Sequence, residues 1–209
     1  MTNAPLFTLS PSSTLEELLE ANHRWRLQQE QRKPALFRSH AAGQKPHTLF
    51  LACCDSRYSE ACLGVEPGEA FTYRTIANIM DPADPGFRAV LEFALHVLQV
   101  SRIVLCGHTD CGGVNTCLTG TRRALATSKC SSLHAHLDSL DALCSAHKPT
   151  LAPLASAVQA EQLAIANVRA QYHALSQDAA VSAAVQQRHL SIHAMLYHVD
   201  TGALTVVAP

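Results

Sequence analysis

The chain alternates between short apolar runs and longer stretches with apolar residues at helical spacing. The run HTLFLAC, residues 47–53, reads as a buried strand, FTYRTI (71–76) as a second and RIVLC (102–106) as a third. The region from about Gly86 to Val100 repeats Phe87, Val90, Leu91, Ala94, Leu95 and Leu98 at helical spacing. Helical stretches are predicted around 113–118, 131–147 and 155–187. HLSIHAMLYHV (189–199) then reads as a strand, Asp200-Thr201-Gly202 as a turn and LTVVA as a short closing strand. At the other end, residues 14–31 are rich in helix formers, with Ser13 or Thr14 as cap, Glu16 and Glu17 in the first turn and Pro34 beyond the end. Strands separated by helices imply an α/β fold: a central, mostly parallel β-sheet flanked by helices. Residues 1–209 are read as one domain, with 1–34 as an N-terminal helical arm.

Composition narrows the function. Hydrophobic residues make up 47% and charged residues 16% of the 209, which fits a packed core. The net charge is −1, without the clustered basic surface that nucleic acid requires, so no nucleic-acid partner is expected. No apolar run reaches the length of a membrane span, and no secretory or transit signal is read, so a cytoplasmic location without membrane association is expected. The eight cysteines are then candidates for metal binding or burial, with no disulfide expected.

In parallel sheets, ligands bind beyond the carboxyl ends of strands. HTLFLAC runs straight into CDSR, and RIVLC into GHTDCGG. If the two strands are parallel neighbours, Cys53, Asp55 and Arg57 face His108 and Cys111 at one edge. Alternate residues share a side, so Cys53 joins Asp55 and Arg57 while Cys54 points away. Two thiolates and an imidazole suit zinc, and three protein ligands leave the open fourth position of a catalytic site. Asp55 can bind the metal or accept a hydrogen bond from its water, and Arg57 can hold that carboxylate in a bidentate pair. Asp110, inside the second loop, is expected to point to solvent. His134, His136 and His147 are expected to be surface residues with nothing tying them to the site. Cys54, Cys62, Cys106, Cys117, Cys130 and Cys144 are read as packing or incidental thiols. Two thiolates cancel the charge of the zinc, so its water is acidified less than in an all-histidine site, and activity is expected to rise through alkaline pH.

CCDSR and GHTDCGG resemble the paired signatures Cys-x-Asp-x-Arg and His-x-x-Cys of the β-class carbonic anhydrases. The likeness extends to LLEANHRWR, EPGEAFTYRTIAN and SIHAMLYHVDTGAL, and so to most of the chain. It implies one Zn2+ per chain held by Cys53, His108 and Cys111. It further implies reversible hydration of carbon dioxide to bicarbonate by a zinc-bound hydroxide, with Asp55 and Arg57 as the catalytic dyad. In one state of the family the aspartate closes the site as a fourth ligand. In the other it pairs with arginine, and water takes the metal. The resemblance also implies a homodimer or higher homo-oligomer, with the N-terminal helix reaching a dimer partner. It implies a substrate cleft matching Gln44, Phe71, Ile76, Phe93 and Gly112. Departures from the family pattern are Tyr58, where a small aliphatic residue is usual, Thr75 in place of Asn, and Ala194 in place of Gly. Phe50 takes the place of a Trp on which some members build a regulatory bicarbonate site, although Arg74 and Tyr197 are present. Two other functions remain open. One is hydrolysis of carbonyl sulfide or carbon disulfide on the same scaffold, and the other is a low-activity zinc protein responsive to carbon dioxide or bicarbonate.

Overall fold

A computed structural model describes residues 7–127 and 129–208. It divides into two units, Met1–Gln44 and Lys45–Pro209. The first carries helices α1 (Leu15–Arg32) and α2 (Leu36–Ala41). Thr14 caps α1 in a reciprocal box: Thr14 Oγ1 accepts from Glu17 N at 3.2 Å, and Thr14 N donates to Glu17 Oε2 at 2.8 Å. Leu15, Leu18, Leu19 and Trp25 of α1 are exposed, and none of its described residues is buried.

The second unit holds the sheet. Its strands are β1 (Thr48–Cys53), β2 (Ala70–Thr75), β3 (Arg102–His108), β4 (Ser191–Tyr197) and β5 (Leu204–Val206). Their spatial order is β2-β1-β3-β4-β5. The first four are mutually parallel, and β5 closes an antiparallel hairpin on β4. Asp200-Thr201-Gly202 forms the turn of that hairpin, with Gly202 at φ +71°. The helices are α3 (Pro85–Glu92), α4 (Gly112–Leu118), α5 (Arg122–Leu125), α6 (Ser131–His136), α7 (Asp138–Leu151), α8 (Ser156–Ser176) and α9 (Ala179–Arg188). β1 and β3 are buried almost end to end, as strands covered on both faces must be.

The predicted elements are present, with refinements that have local causes. The 155–187 stretch breaks at Asp178, which caps α9 by accepting from Ala180 N and Val181 N. The 131–147 stretch breaks at Leu137, and its second part runs through Pro149 to Leu151. The 86–100 helix ends in a wide turn over Phe93–Val97, where Leu98 N bonds back to Phe93 O at 2.9 Å. β5 is shorter than LTVVA.

The sheet is closely covered where it matters for the site. A Cβ on Gly107, one residue before His108, would lie 2.5 Å from Val168 Cγ2 of α8. Gly107→Ala is therefore expected to cost about 1–3 kcal/mol through overpacking, with much of the loss recovered in Gly107→Ala/Val168→Ala. Urea unfolding of the two variants at matched protein concentration checks this. An equal loss in both variants would place the strain elsewhere.

Candidate metal centre

Cys53 is the last residue of β1, His108 the last of β3, and Cys111 the cap residue in front of α4. Because Ala52 of β1 pairs with Cys106 of β3, both strands release their loops at one edge. All three side chains are buried, and one ligand atom from each lies within 4.8 Å of the other two. Cys54 is exposed, whereas Cys53 is buried among the three clustered side chains.

The donor set fits a cation. His108 Nδ1 lies 2.9 Å from Thr109 O. A carbonyl only accepts, so Nδ1 carries the proton and Nε2 presents a lone pair. That Nε2 is buried and has no hydrogen-bond partner among the described residues, an expensive arrangement unless an ion uses it. The two cysteines reinforce this. Cys53 is pulled down, chiefly by the hydrogen bond from Cys111, while Cys111 is pushed up by the same bond and by burial. Ala77 N also donates to Cys53 Sγ at 3.2 Å, as suits a thiolate. Two sulfurs and one nitrogen at such separations suit tetrahedral zinc.

The backbone behind these ligands is tied from several directions. Arg74 of β2 donates from Nε to Cys53 O at 2.8 Å, and from Nη2 to Asp55 O at 2.6 Å and Tyr58 O at 2.8 Å. Tyr58 is buried, stacks on Tyr197 with centroids 5.0 Å apart, and lies 5.1 Å from the His108 ring. Its hydroxyl accepts from Cys53 N at 2.9 Å and donates to Cys106 O at 3.0 Å. Burial pushes its phenol far above the ordinary range, so it stays a neutral donor. Ala77 and Asn78 both have positive φ, 55° and 48°. This turn is held by Asn167 Nδ2 donating to Ala77 O at 2.8 Å and by Thr75 Oγ1 donating to Ile79 O at 2.8 Å. Strain of this kind persists where surrounding structure enforces it, and here the turn aims an N–H at a ligand sulfur.

Asp55 and Arg57 form the expected bidentate pair. Arg57 Nε donates to Asp55 Oδ1 at 2.9 Å and Nη2 to Oδ2 at 2.8 Å. Asp55 Oδ2 is 3.9 Å from His108 Nε2, so the dyad borders the ligand cluster. The side-chain hydrogen bond from Arg57 lowers the Asp55 pKa to about 2, against the opposing effect of burial.

The substrate-side residues fall in different places. Phe71 of β2 packs its ring 5.7 Å from Phe93. Ile76 and Phe93 are 42% and 40% exposed, so neither is a core residue of the single chain. Gly112 opens α4, with open space where a Cβ would sit. Gln44 is exposed and closes the first unit.

Two expectations need correction. Asp110 is 65% exposed, yet its carboxylate meets Arg57 instead of only solvent. His136 is not untethered: its Nε2 donates to Ile76 O at 2.9 Å, joining α6 to the turn that serves Cys53. Asn167 and Arg74 were also missed as supports of the site. No local sequence signal reveals these bonds, since their partners lie 16 to 90 residues away.

A family model described as "Carbonic anhydrase" matches residues 48–204. A carbonic anhydrase of Saccharomyces cerevisiae is 42% identical over 208 residues, covering 99% of this chain and 94% of its own. Two solved structures resemble the chain along most of its length. One, from work on two tetrameric β-carbonic anhydrases of Sordaria macrospora, has TM-score 0.85 at 29% identity, covering 93% of this chain and 96% of that one. The β-carbonic anhydrase CafA of Aspergillus fumigatus has TM-score 0.83 at 36% identity, covering 94% and 93%.

Two outcomes are expected from this geometry. Tyr58→Phe keeps the ring stack but strands Cys53 N and Cys106 O, costing about 1–3 kcal/mol of stability and weakening zinc retention. Chemical unfolding and competition with a zinc chelator read the two effects. Arg57→Gln should return the Asp55 pKa from about 2 toward its model-peptide value of 3.8, followed by carboxyl 13C NMR. The depressed pKa means that this pair stabilises the fold above about pH 4, an effect lost as pH falls through about 2. Arg57 is 43% exposed, so the contribution is about 1 kcal/mol.

Proposed function

The chain belongs to the β-class carbonic anhydrase family, and from that membership and the donor set at the carboxyl ends of β1 and β3 we propose that it hydrates carbon dioxide reversibly to bicarbonate and a proton. The observation that carries the reading is the buried, unpartnered His108 Nε2 beside two converging cysteine sulfurs, with a paired carboxylate 3.9 Å away.

Cys53, His108 and Cys111 would hold one Zn2+, which supplies the Lewis acidity that makes water nucleophilic near neutral pH. Asp55 acts as an acceptor fixed by Arg57. Its carboxylate stays ionised throughout the working pH range and can take the hydrogen bond of the attacking water, directing that water's lone pair toward the substrate carbon. Arg57 sets the position of the carboxylate and keeps it charged. When Asp55 turns away from Arg57, its short side chain can reach the ligand cluster and close the site as a fourth ligand. The Arg57 pair counters that closure.

Carbon dioxide is small and apolar, and its cleft is assigned to Phe71, Ile76 and Phe93, with the Gly112 amide facing the developing bicarbonate. The exposure of Ile76 and Phe93, and of the apolar residues along α1, supports an assembly of at least two chains that covers them. No helix among the described residues is long and apolar enough to cross a membrane. A cytoplasmic location remains part of this proposal.

Stopped-flow hydration of carbon dioxide by zinc-quantified protein tests the reading. Turnover should rise between about pH 7 and pH 9, because two thiolates offset the charge of the metal. Asp55→Ala should lower kcat/KM by about 10²-fold or more with zinc retained, whereas Cys53→Ser should lose the zinc itself. One zinc per chain with no turnover of carbon dioxide across that range would overturn the assignment, and carbonyl sulfide would be the next substrate to try.

A further inference from the structure

Arg57 uses more of its guanidinium than the dyad requires. Nε and Nη2 form one edge, which grips Asp55. Nη1 and Nη2 form the other, and that edge grips residue 110: Nη1 donates to Asp110 Oδ2 and Nη2 to Asp110 O, both at 2.9 Å. The arginine therefore bridges the two ligand loops, 53 residues apart in sequence.

Residue 110 is built for this grip. Its φ is +53°, a left-handed conformation that Asp and Asn tolerate better than other side chains. In that conformation its carbonyl and its carboxylate both reach one guanidinium edge. Its second carboxylate oxygen is fixed by Asn115 Nδ2 of α4 at 3.0 Å. An isolated exposed ion pair contributes little, because two long side chains must be ordered for it. Here Asp55 already orders the arginine, and the main-chain carbonyl adds a second anchor on the same edge.

We propose that Asp110 is a positioning residue for the Asp55–Arg57 dyad: it anchors the guanidinium to the second ligand loop, so that Asp55 can leave and return to an arginine that does not move. This rests on the role given to the dyad above. Two carboxylates share one cation. Release of Asp55 therefore leaves Arg57 in a complete pair with Asp110 and not as a bare charge, which lowers the cost of each release. Without the Asp110 carboxylate, Arg57 keeps no charged partner among the described residues besides the group that has to let go.

The test uses the zinc-loaded full chain. Asp110→Asn keeps the shape and the left-handed preference but removes the charge, and Asp110→Gly removes the whole side chain without backbone strain. Both should retain one zinc per chain and lower kcat, with KM little changed. Asp110→Gly should lower kcat by about tenfold, the scale of a small misplacement in a positioned group. In an Arg57→Ala background, Asp110→Gly should cost less than about twofold further, because its effect passes through the arginine. Arginine-selective 15N NMR, assigned with Arg57→Lys, should show two resolved Nη signals for Arg57 in an Asp55→Ala background, from hindered rotation about Nε–Cζ, merging in Asp55→Ala/Asp110→Gly. An equal loss in the Arg57→Ala background, an unchanged kcat, or resolved Nη signals that persist in Asp55→Ala/Asp110→Gly would each overturn the proposal. If the parent protein does not hydrate carbon dioxide, the functional reading has failed, and the NMR comparison alone decides whether Asp110 anchors Arg57.

Discussion

The site depends on one pairing, the parallel register of β1 on β3. Because Ala52 lies opposite Cys106, the strands run out together, and the chain delivers Cys53 and His108 to the same edge within one residue of each other. A slip of one position would turn a ligand to the opposite face of the sheet. The register is fixed by burial: both strands are enclosed on both faces, and Gly107 lets α8 approach the backbone just before His108. The hydrophobic core and the metal centre are thus products of the same alignment.

Much of this was legible in the sequence, for identifiable reasons. Continuous apolar runs ending in polar, cysteine-bearing loops carry both the strand and its exit point, so Cys53, Asp55, Arg57, His108 and Cys111 could be named together. The capped helix at Thr14 and the turn before Gly202 were equally readable, since both rest on local chemistry. What escaped were bonds between distant segments. Asn167 lies in the middle of a long helix and shows no pattern of its own, yet it fixes the Ala77 carbonyl. The bond from His136 to Ile76 O depends on how α6 packs, which periodicity does not encode. Asp110 was misjudged because exposure suggested solvent, whereas the guanidinium that meets it is itself at the surface.

Charge is arranged in two layers around the ligands. The inner layer is the pair of cysteine sulfurs, whose negative charge is met by the Ala77 N–H as well as by any cation they hold. The outer layer is the Asp55–Arg57–Asp110 group, which carries one net negative charge at neutral pH and sits partly in water. The inner layer is dry, so its groups must be matched almost completely, and an ion at the three ligand atoms would give the His108 Nε2 its partner. The outer layer is wet enough to rearrange. That division suits a centre whose ligands stay fixed while one carboxylate moves.

The hydroxyls of Tyr58 and Thr75 share a physical logic. Ala52–Cys106 is the last pair of the β1–β3 ladder, and the Cys53 N–H and the Cys106 carbonyl lie at its end. The Tyr58 hydroxyl stands between them, accepting from one and donating to the other. The phenol oxygen thereby pairs two buried backbone groups at the end of the ladder. Thr75 acts on the neighbouring strand in the same way, its hydroxyl closing the turn that carries Ala77. In both cases a side-chain hydroxyl secures main-chain groups at a strand end beside Cys53.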